Sequence, residues 1–303
     1  MFMNYLQSEQ SWTSFVNNLD FSSRIKNKEE AKKALEYSIL TALKPILDKG
    51  MHRVDKGNAG SPYTALLFSG GIDSTLIAFL SKKLGYNLLC YAFGFKDSPD
   101  ILAARAIAKE YKFQLKEHII KEEELEPAIK TAIEILKTND ITKVSIGALI
   151  VIACQSAKQD GVKTLLTGSG TEDTLAGYQK HSKALAENRL AEELKQGLLT
   201  LYERDLSRDL PIAKHFNIEL DSPYLDENYI KTALSIDNKF KINNQHRKLI
   251  LREIALDLGI KEEFSFRKKV AAQYGSRILK EMDKLARKQG FKNKEEYLKF
   301  LME

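Results

Sequence analysis

Short apolar runs alternate with amphipathic stretches in the middle of the chain. Four runs have the length and composition of buried strands: TALLF (64–68), NLLCYAFGF (87–95), QLKEHII (114–120) and VKTLLTG (162–168). The stretches between them repeat apolar positions at helical spacing: 75–85, 98–112, 121–138 and 144–161. This alternation predicts an α/β fold, a parallel sheet with helices on both faces.

The flanks of this region are predicted to be mostly helical. Residues 28–48 show helical periodicity, whereas Gly and Pro interrupt residues 52–62, which we expect to form a loop. After residue 180 the strand pattern disappears, apart from one extended segment at 219–226. We therefore expect three consecutive parts: an N-terminal helical segment and loop (1–60), an α/β core (61–180) and a helical C-terminal region (181–303).

The composition is that of a soluble globular protein: 303 residues, 43% hydrophobic and 29% charged. Cys90 and Cys154 cannot build a disulfide framework, and no CxxC motif or Cys/His cluster indicates zinc or iron–sulfur. We therefore expect a reducing, cytoplasmic location. The N-terminus lacks the pattern of a secretory signal. No apolar run approaches ~20 residues, so we expect no membrane-spanning helix.

Positive charge is concentrated near the C-terminus. The formal net charge is +6, and residues 241–303 hold 16 Lys and Arg against 9 Asp and Glu. This imbalance is typical of a solvated helical face, or of a surface that binds nucleic acid or a polyphosphate ligand. The charge alone leaves both interpretations open.

The hexapeptide SGGIDS (69–74) directly follows the first strand and opens a helix. Gly70 and Gly71 let the backbone turn tightly, which exposes N–H groups at a helix N-terminus, where phosphate oxygens are favoured. Asp73 would repel a phosphate unless a cation lies between them, which suggests magnesium. The string is neither a Walker A loop nor GxGxxG.

A second glycine-rich segment, LLTGSGTEDTLAGY (165–178), directly follows the last predicted strand. Gly168 and Gly170 permit close approach to a ligand, and Glu172 and Asp173 form a carboxylate pair. Because loops at the carboxyl ends of parallel strands converge, we expect this pair to face Asp73 across a nucleotide. The alternative is a helix N-terminus with an acidic first turn.

SGGxDS resembles the pyrophosphate-binding loop of the N-type ATP pyrophosphatases (PP-loop superfamily), which have an adenine nucleotide alpha hydrolase-like, Rossmann-like fold. The order and spacing of 165–178, 219–230 (ELDSPYLDENYI) and 246–278 (HRKLILREI…FRKKVAAQYGSRI) resemble the asparagine synthetase family. They are most similar to the asparagine synthetase domain-containing proteins that lack the glutaminase domain. The resemblance implies ATP and Mg²⁺ as cofactors, a nucleotide-binding core over 61–180, and a helical region over 181–303 that completes the active site.

The resemblance also implies roles for individual residues. The implied nucleotide-binding residues are Leu67, Ser69, Gly70, Gly71, Asp73, Ser74, Phe93, Gly168, Gly170 and Arg267. Asp73 and Glu172 are the implied magnesium ligands. Asp173, Lys248 and Lys269 are the implied catalytic residues, and Lys269, or Lys268 in the other register, would stabilise the departing pyrophosphate.

Further expectations concern other positions of the chain. Arg252, on the same helix as Lys248, is expected to contribute to the cations that reach the phosphates. Asp100 matches a position beside the nucleotide pocket, or it is an acidic residue in the first turn of a helix. Gly275 is expected to adopt a left-handed conformation. The five histidines are expected to be structural or exposed.

Three departures from the family pattern bear on the substrate. Ser169 replaces an acid between the two glycines, the Glu172–Asp173 pair is reversed, and Asp221 replaces an arginine. These changes argue against conversion of aspartate to asparagine but not against ATP binding. The expected function is a ligase that adenylates a small carboxylate and then transfers the acyl group to ammonia or an amine.

Two alternatives remain at this point. One is an ATP-binding homologue with altered catalysis that acts as a partner subunit. The other is a PP-loop enzyme of tRNA modification, which the basic C-terminal residues suit but which the absence of a CxxC set opposes. Because some 60 residues before the loop cannot house a glutaminase domain, any ammonia would be free or supplied by a separate subunit.

Overall fold

The computed structural model describes residues 6–51, 64–268 and 270–303. The loop predicted over 52–62 lies outside these residues, and so does Lys269. The predicted short strands and amphipathic helices are otherwise present, with ends that move by a few residues.

A five-stranded sheet forms the centre of the α/β part of the chain. Its strands are β1 (Thr64–Leu67), β2 (Leu89–Gly94), β3 (Gln114–Ile119), β4 (Thr164–Leu166) and β5 (Glu219–Asp221). The strand order is β3-β2-β1-β4-β5, and β1 pairs in parallel with both β2 and β4, as does β2 with β3. The predicted α/β architecture is confirmed, and the extended segment after residue 218 is its fifth strand.

Seventeen α-helices are found among the described residues. They are α1 (Glu9–Asn17), α2 (Lys28–Met51), α3 (Ile72–Lys83), α4 (Pro99–Tyr111), α5 (Glu122–Leu136), α6 (Ile141–Gln159), α7 (Thr171–Thr174), α8 (Gln179–Ala186), α9 (Leu190–Leu201), α10 (Ser207–His215), α11 (Glu227–Ser235), α12 (Asn238–Lys241), α13 (Leu249–Asp257), α14 (Glu262–Ser265), α15 (Ala272–Gly275), α16 (Ile278–Lys288) and α17 (Lys294–Met302). A π-helical turn, Tyr202–Leu206, links α9 to α10.

The chain forms two compact units that interleave along the sequence. The α/β unit comprises the described residues of Lys49–Thr167, Ser207–Leu220 and Lys268–Glu303. The helical unit comprises the described residues up to Asp48, with Gly168–Leu206 and Asp221–Arg267. These units are defined by contacts and do not follow the chain in consecutive blocks. The division into three consecutive parts stays a prediction.

The C-terminal helices belong to the α/β unit because their apolar faces are buried there. Met282 and Leu285 of α16 and Leu298 of α17 join the same apolar cluster as Ile129 of α5 and Ile152 of α6. Burial of such side chains is worth roughly 1.5–3 kcal/mol each. Amphipathic helices that follow the sheet in sequence therefore complete its hydrophobic layer.

Helix α6 is the one described helix that is long and apolar enough to cross a membrane. It has 19 residues and a mean hydropathy of 1.3, and 67% of its apolar window is buried inside the protein. The expectation that no apolar run approaches this length was wrong. The burial of α6 is that of a core helix, since it packs against α5 and α10.

In the helical unit, the N-terminal segment is held by buried contacts. Trp12 is fully buried, and its indole N–H donates to the carbonyl oxygen of Leu198 at 2.6 Å. The backbone N–H groups of Arg24 and Ile25 both donate to the carbonyl oxygen of Ser235. Residues to which the sequence assigns no role thus pack on α9 and α11.

The basic side chains of α16 and α17 are largely paired with acids. Lys288 lies 2.6 Å from Glu122, Arg287 lies 3.0 Å from Asp283, and Lys294 lies 3.5 Å from the same aspartate. Ion pairs at the surface contribute little to stability. They nevertheless favour the solvated helical face over a nucleic-acid surface as the source of this local positive charge.

Candidate active site

The SGGIDS loop lies between β1 and α3, at the point where the strand order reverses. After β1 the chain adds β2 and β3 on one side of this strand and then β4 and β5 on its other side. Ligands of open α/β sheets bind at such a reversal of strand order. Gly71 is the residue before α3, with extended backbone and no side-chain cap. The first N–H groups of α3 therefore suit phosphate oxygens.

Gly70 shapes the loop through both its conformation and its packing. Its φ is +67°, and a Cβ at this position would lie 2.9 Å from the backbone of Ala103 and Ala104 in α4. Only glycine combines this left-handed conformation with so close an approach. The predicted role of Gly70 in turning the loop has direct geometric support.

The other predicted residues of this loop occupy the ends of β1 and the start of α3. The hydroxyl of Ser69 accepts from the N–H of Gly71 at 3.3 Å, and that of Ser74 donates to the Gly71 carbonyl oxygen at 3.3 Å. Asp73 is half-buried in the first turn of α3. Leu67 and Phe93, predicted beside the adenine, are half-buried on the neighbouring strands β1 and β2.

Residues 272–277 pack against the beginning of α4. Gly275 was predicted to be left-handed, but it ends α15, and the positive φ of 67° belongs to Arg277. The glycine is required for a different reason, because a Cβ there would lie 2.3 Å from Oδ2 of Asp100. Asp100 is buried and faces this glycine, a contact that a motif search could not reveal.

In the helical unit, Glu172 is the centre of a buried network. The Lys248 ammonium donates to Glu172 Oε1 at 2.6 Å and to Thr171 Oγ1 at 2.7 Å. The Thr171 hydroxyl in turn donates to Glu172 Oε2 at 3.1 Å. Lys248 was predicted to be catalytic; the structure brings it to Glu172, and its catalytic role stays a prediction.

Asp173 points away from Glu172, toward α9 and the π-helical turn. Its Oδ2 accepts from Arg204 Nη2 at 2.7 Å, and its Oδ1 lies 2.2 Å from where a Cβ of residue 197 would be. Burial raises the pKa of Asp173 to about 6, although the Arg204 guanidinium opposes this shift. The catalytic role predicted for Asp173 stays a prediction.

Arg204 is a residue that the sequence did not single out. It lies in the π-helical turn, and its guanidinium stacks 5.2 Å from the ring of Tyr178. Short π-helical segments occur frequently at functional sites. Arg204 contacts Asp173, which lies 31 residues earlier in the chain, so no local sequence pattern could have shown the contact.

The loop after β4 is tied to the PYLD segment within the helical unit. The Ser222 hydroxyl donates to the carbonyl oxygen of Ser169 at 2.7 Å. Gly170 has a φ of +112°, and a Cβ there would lie 2.6 Å from the carbonyl oxygen of Tyr224. Ser169 and the neighbour of Asp221 thus meet, so two of the three departures from the family pattern lie in adjoining backbone.

The predicted cations have different surroundings. Arg252 Nη1 donates to the carbonyl oxygens of Ser265 at 2.6 Å and Arg267 at 3.2 Å. Arg252 therefore fixes the backbone at Arg267. The expectation that Arg252 reaches the phosphates did not include this contact. Arg267 is half-buried, Lys268 is exposed, and Lys269 lies outside the described residues.

The described ranges contain no group of three or more His, Cys, Asp or Glu side chains suited to hold a metal ion. Magnesium takes one or two protein carboxylates and completes its octahedron with phosphates and water. Asp73 of the α/β unit and Glu172 of the helical unit each offer the carboxylate chemistry that magnesium takes, and their role as its ligands stays a prediction.

Comparison with known proteins finds relatives that are described as asparagine synthetases. The family model described as asparagine synthase matches residues 58–210 and 184–301. "Putative asparagine synthetase (glutamine-hydrolyzing) 1" of Methanocaldococcus jannaschii is 32% identical over 302 residues, covering 88% of this chain and 53% of its own length. Human asparagine synthetase (glutamine-hydrolyzing) is 34% identical over 220 residues, covering 69% and 39%.

The chain therefore spans about half the length of its M. jannaschii relative, 53%. Among solved structures, a chain described as "predicted subunit of tRNA methyltransferase" from Methanocaldococcus jannaschii matches 68% of this chain and 93% of its own. The sequence identity is 20% and the TM-score 0.33. That likeness is too weak to bear on function.

Proposed function

This chain belongs to the asparagine synthase family, and on that premise we propose that it is an ATP-dependent ligase that adenylates a small carboxylate. The observation that carries the proposal is the SGGIDS loop between β1 and α3, with Gly70 left-handed against α4. A glycine turn that presents helix N–H groups suits a pyrophosphate group. The family identity then selects ATP as its source.

The proposed reaction has two steps, adenylation of the carboxylate and transfer of the acyl group. A substrate carboxylate oxygen attacks the α-phosphorus of ATP, and the bond from that phosphorus to the bridging oxygen breaks, which releases pyrophosphate. Ammonia or an amine then attacks the acyl carbon, loses a proton and expels AMP. Negative charge grows on the leaving pyrophosphate in the first step, and Arg267 and Lys269 are the cations proposed to stabilise it.

Mg²⁺ is the proposed second cofactor. Asp73 and Glu172 would hold it, together with phosphate oxygens of ATP. When bound, the ion would neutralise phosphate charge. Protein residues would bind the rest of the nucleotide. Backbone N–H groups of the SGGIDS loop are proposed to bind its phosphates, and Leu67 and Phe93 are proposed to contact its adenine.

The acceptor and the nitrogen donor are proposed only by chemical class. A small carboxylate is the proposed substrate, and the nitrogen is proposed to come from free ammonia or from a separate ammonia-supplying subunit. Ser169 and Asp221 place a hydroxyl and an acid where the family pattern has an acid and an arginine. This charge pattern favours an acceptor other than aspartate. The proposed location is the cytoplasm.

Exchange of labelled pyrophosphate into ATP, dependent on a candidate acid, tests the proposal. We expect exchange with at least one amino or carboxylic acid, and its loss in Asp73→Asn. Asp48→Asn is the matched control, because Asp48 lies on α2 and pairs with the exposed Lys44 at 3.0 Å. Absence of exchange with every acid of a broad panel would refute the ligase.

The sequence also favours a second candidate function. The changes at Ser169 and Asp221 would also suit an ATP-binding partner subunit without turnover. Thermal stabilisation by ATP and Mg²⁺, combined with no exchange, would support this candidate over the ligase. A tRNA-modifying role is disfavoured by the paired cations of α16 and α17; a salt-dependent gel shift with total tRNA would reinstate it.

A further inference from the structure

Both carboxylate oxygens of Glu172 accept hydrogen bonds in a network that includes Thr171 and Lys248. Lys248 donates to Oε1 and to the Thr171 hydroxyl, and that hydroxyl donates to Oε2. Thr171 is fully buried, while Lys248 is 2% and Glu172 8% exposed. A carboxylate held at both oxygens by buried donors has a fixed orientation, which an isolated glutamate at the surface lacks.

Gly177 and the backbone conformation of Lys248 allow the lysine side chain to reach Glu172. Gly177 leaves the necessary space, because a Cβ there would lie 2.5 Å from Lys248 Cε and 2.9 Å from Glu172 Cα. Lys248 itself has a left-handed backbone, with a φ of 54°. A non-glycine residue adopts this conformation only when its surroundings compensate for the strain.

We propose that Lys248 is a positioning residue: it orients the Glu172 carboxylate toward its metal ion and does not itself contact phosphate. The inference rests on the proposed function, in which Glu172 is a magnesium ligand. Residues that hydrogen-bond to a metal ligand fix its orientation, and their loss typically lowers metal affinity about 10–100-fold. Lys248 and Thr171 stand in that relation to Glu172.

Two variants separate positioning from direct phosphate binding. Thr171→Val keeps the shape of the side chain and the Lys248 ammonium but removes the hydroxyl that bridges to Glu172. Lys248→Met removes the ammonium. Lys241→Met is the matched control, because Lys241 is a second buried lysine of the same unit, 1% exposed, whose ammonium donates to the Leu234 carbonyl oxygen.

The measurement is the affinity for a non-hydrolysable ATP analogue in EDTA and in saturating Mg²⁺. We expect the ratio of the two affinities to fall about tenfold in both Thr171→Val and Lys248→Met, and to stay unchanged in Lys241→Met. An unchanged ratio in Thr171→Val overturns the inference. So does an equal loss for Lys248→Met in EDTA and in Mg²⁺, which would indicate a phosphate contact.

Urea unfolding provides a readout that does not need a ligand. Removal of Lys248 takes a positive charge away from the buried Glu172 carboxylate, so we expect a lower midpoint in Lys248→Met and partial recovery in Lys248→Met/Glu172→Gln. Additive losses would overturn the inference. If the wild-type protein binds no ATP analogue, the proposed function is contradicted. The unfolding experiment then tests separately whether Lys248 is coupled to Glu172.

Discussion

Gly275 lies directly against the buried carboxylate of Asp100: a Cβ at residue 275 would stand 2.3 Å from Oδ2 and 2.6 Å from Cγ. Asp100 is 6% exposed, so its short side chain has little space in which to turn aside. We expect Gly275→Ala to lower the free energy of unfolding by about 1–3 kcal/mol, as overpacking does. Urea unfolding of the purified protein measures this loss.

The steric origin of that loss can be checked by removing the opposing group. In an Asp100→Ala background the added methyl group meets no carboxylate, so Gly275→Ala should cost much less there. An equal loss in both backgrounds would show that the contact with Asp100 is not its cause.

Gly70 permits a second prediction, with an internal control. Its φ is +67°, and α4 backbone lies 2.9 Å from the position that a Cβ would occupy, whereas Gly85 has a φ of +89° with nothing within 4 Å of that position. Alanine in the left-handed region costs ~1–2 kcal/mol at either residue. Only Gly70→Ala adds a clash with backbone, so we expect it to be the more destabilising variant in urea unfolding.

Nucleotide binding should distinguish these two variants more sharply. Gly70→Ala displaces the SGGIDS loop, and we expect it to abolish thermal stabilisation by ATP and Mg²⁺. Gly85→Ala should retain that stabilisation. Full ATP binding by Gly70→Ala would refute the assignment of this loop.

Periodicity alone predicted the sheet and the helices of residues 64–168, because buried parallel strands and amphipathic helices differ in length and spacing. The same patterns could not show that α16 and α17 pack onto α5 and α6, since an apolar helical face does not specify its partner. Residue types predicted Glu172 and Asp173 as a carboxylate pair. Their divergence, toward Lys248 and toward Arg204, depends on tertiary contacts 76 and 31 residues distant.

Arg204 is expected to determine the ionisation of Asp173. Burial raises the pKa of this acid to about 6, and Arg204 moderates the shift. Arg204→Met leaves a carboxylate 1% exposed without its guanidinium, and we expect the free energy of unfolding at pH 8 to fall by about 2–3 kcal/mol.

The loss in Arg204→Met should depend on pH with a defined sign. Without Arg204 the pKa of Asp173 in the folded state rises further, so the folded variant retains a proton that the wild type has lost. Its stability relative to wild type therefore falls as pH rises from about 5 to about 8. Arg287→Met, which breaks a surface pair with Asp283, should show no such trend in urea unfolding.

Lys241 should make the opposite contribution to the pH dependence of stability. Burial lowers the pKa of its ammonium from 10.5 to about 7, with a smaller opposing effect from Asp237. Between these values the unfolded chain binds more protons than the folded one, so wild-type stability gains up to ~1.4 kcal/mol per pH unit from this residue.

Lys241→Met lacks that gain. Its stability relative to wild type should therefore decrease from about pH 7 to about pH 9.5 in urea unfolding, whereas Lys44→Met, at an exposed lysine of α2, should run parallel to wild type. Parallel curves for Lys241→Met would show that Lys241 is charged in the folded protein throughout this range.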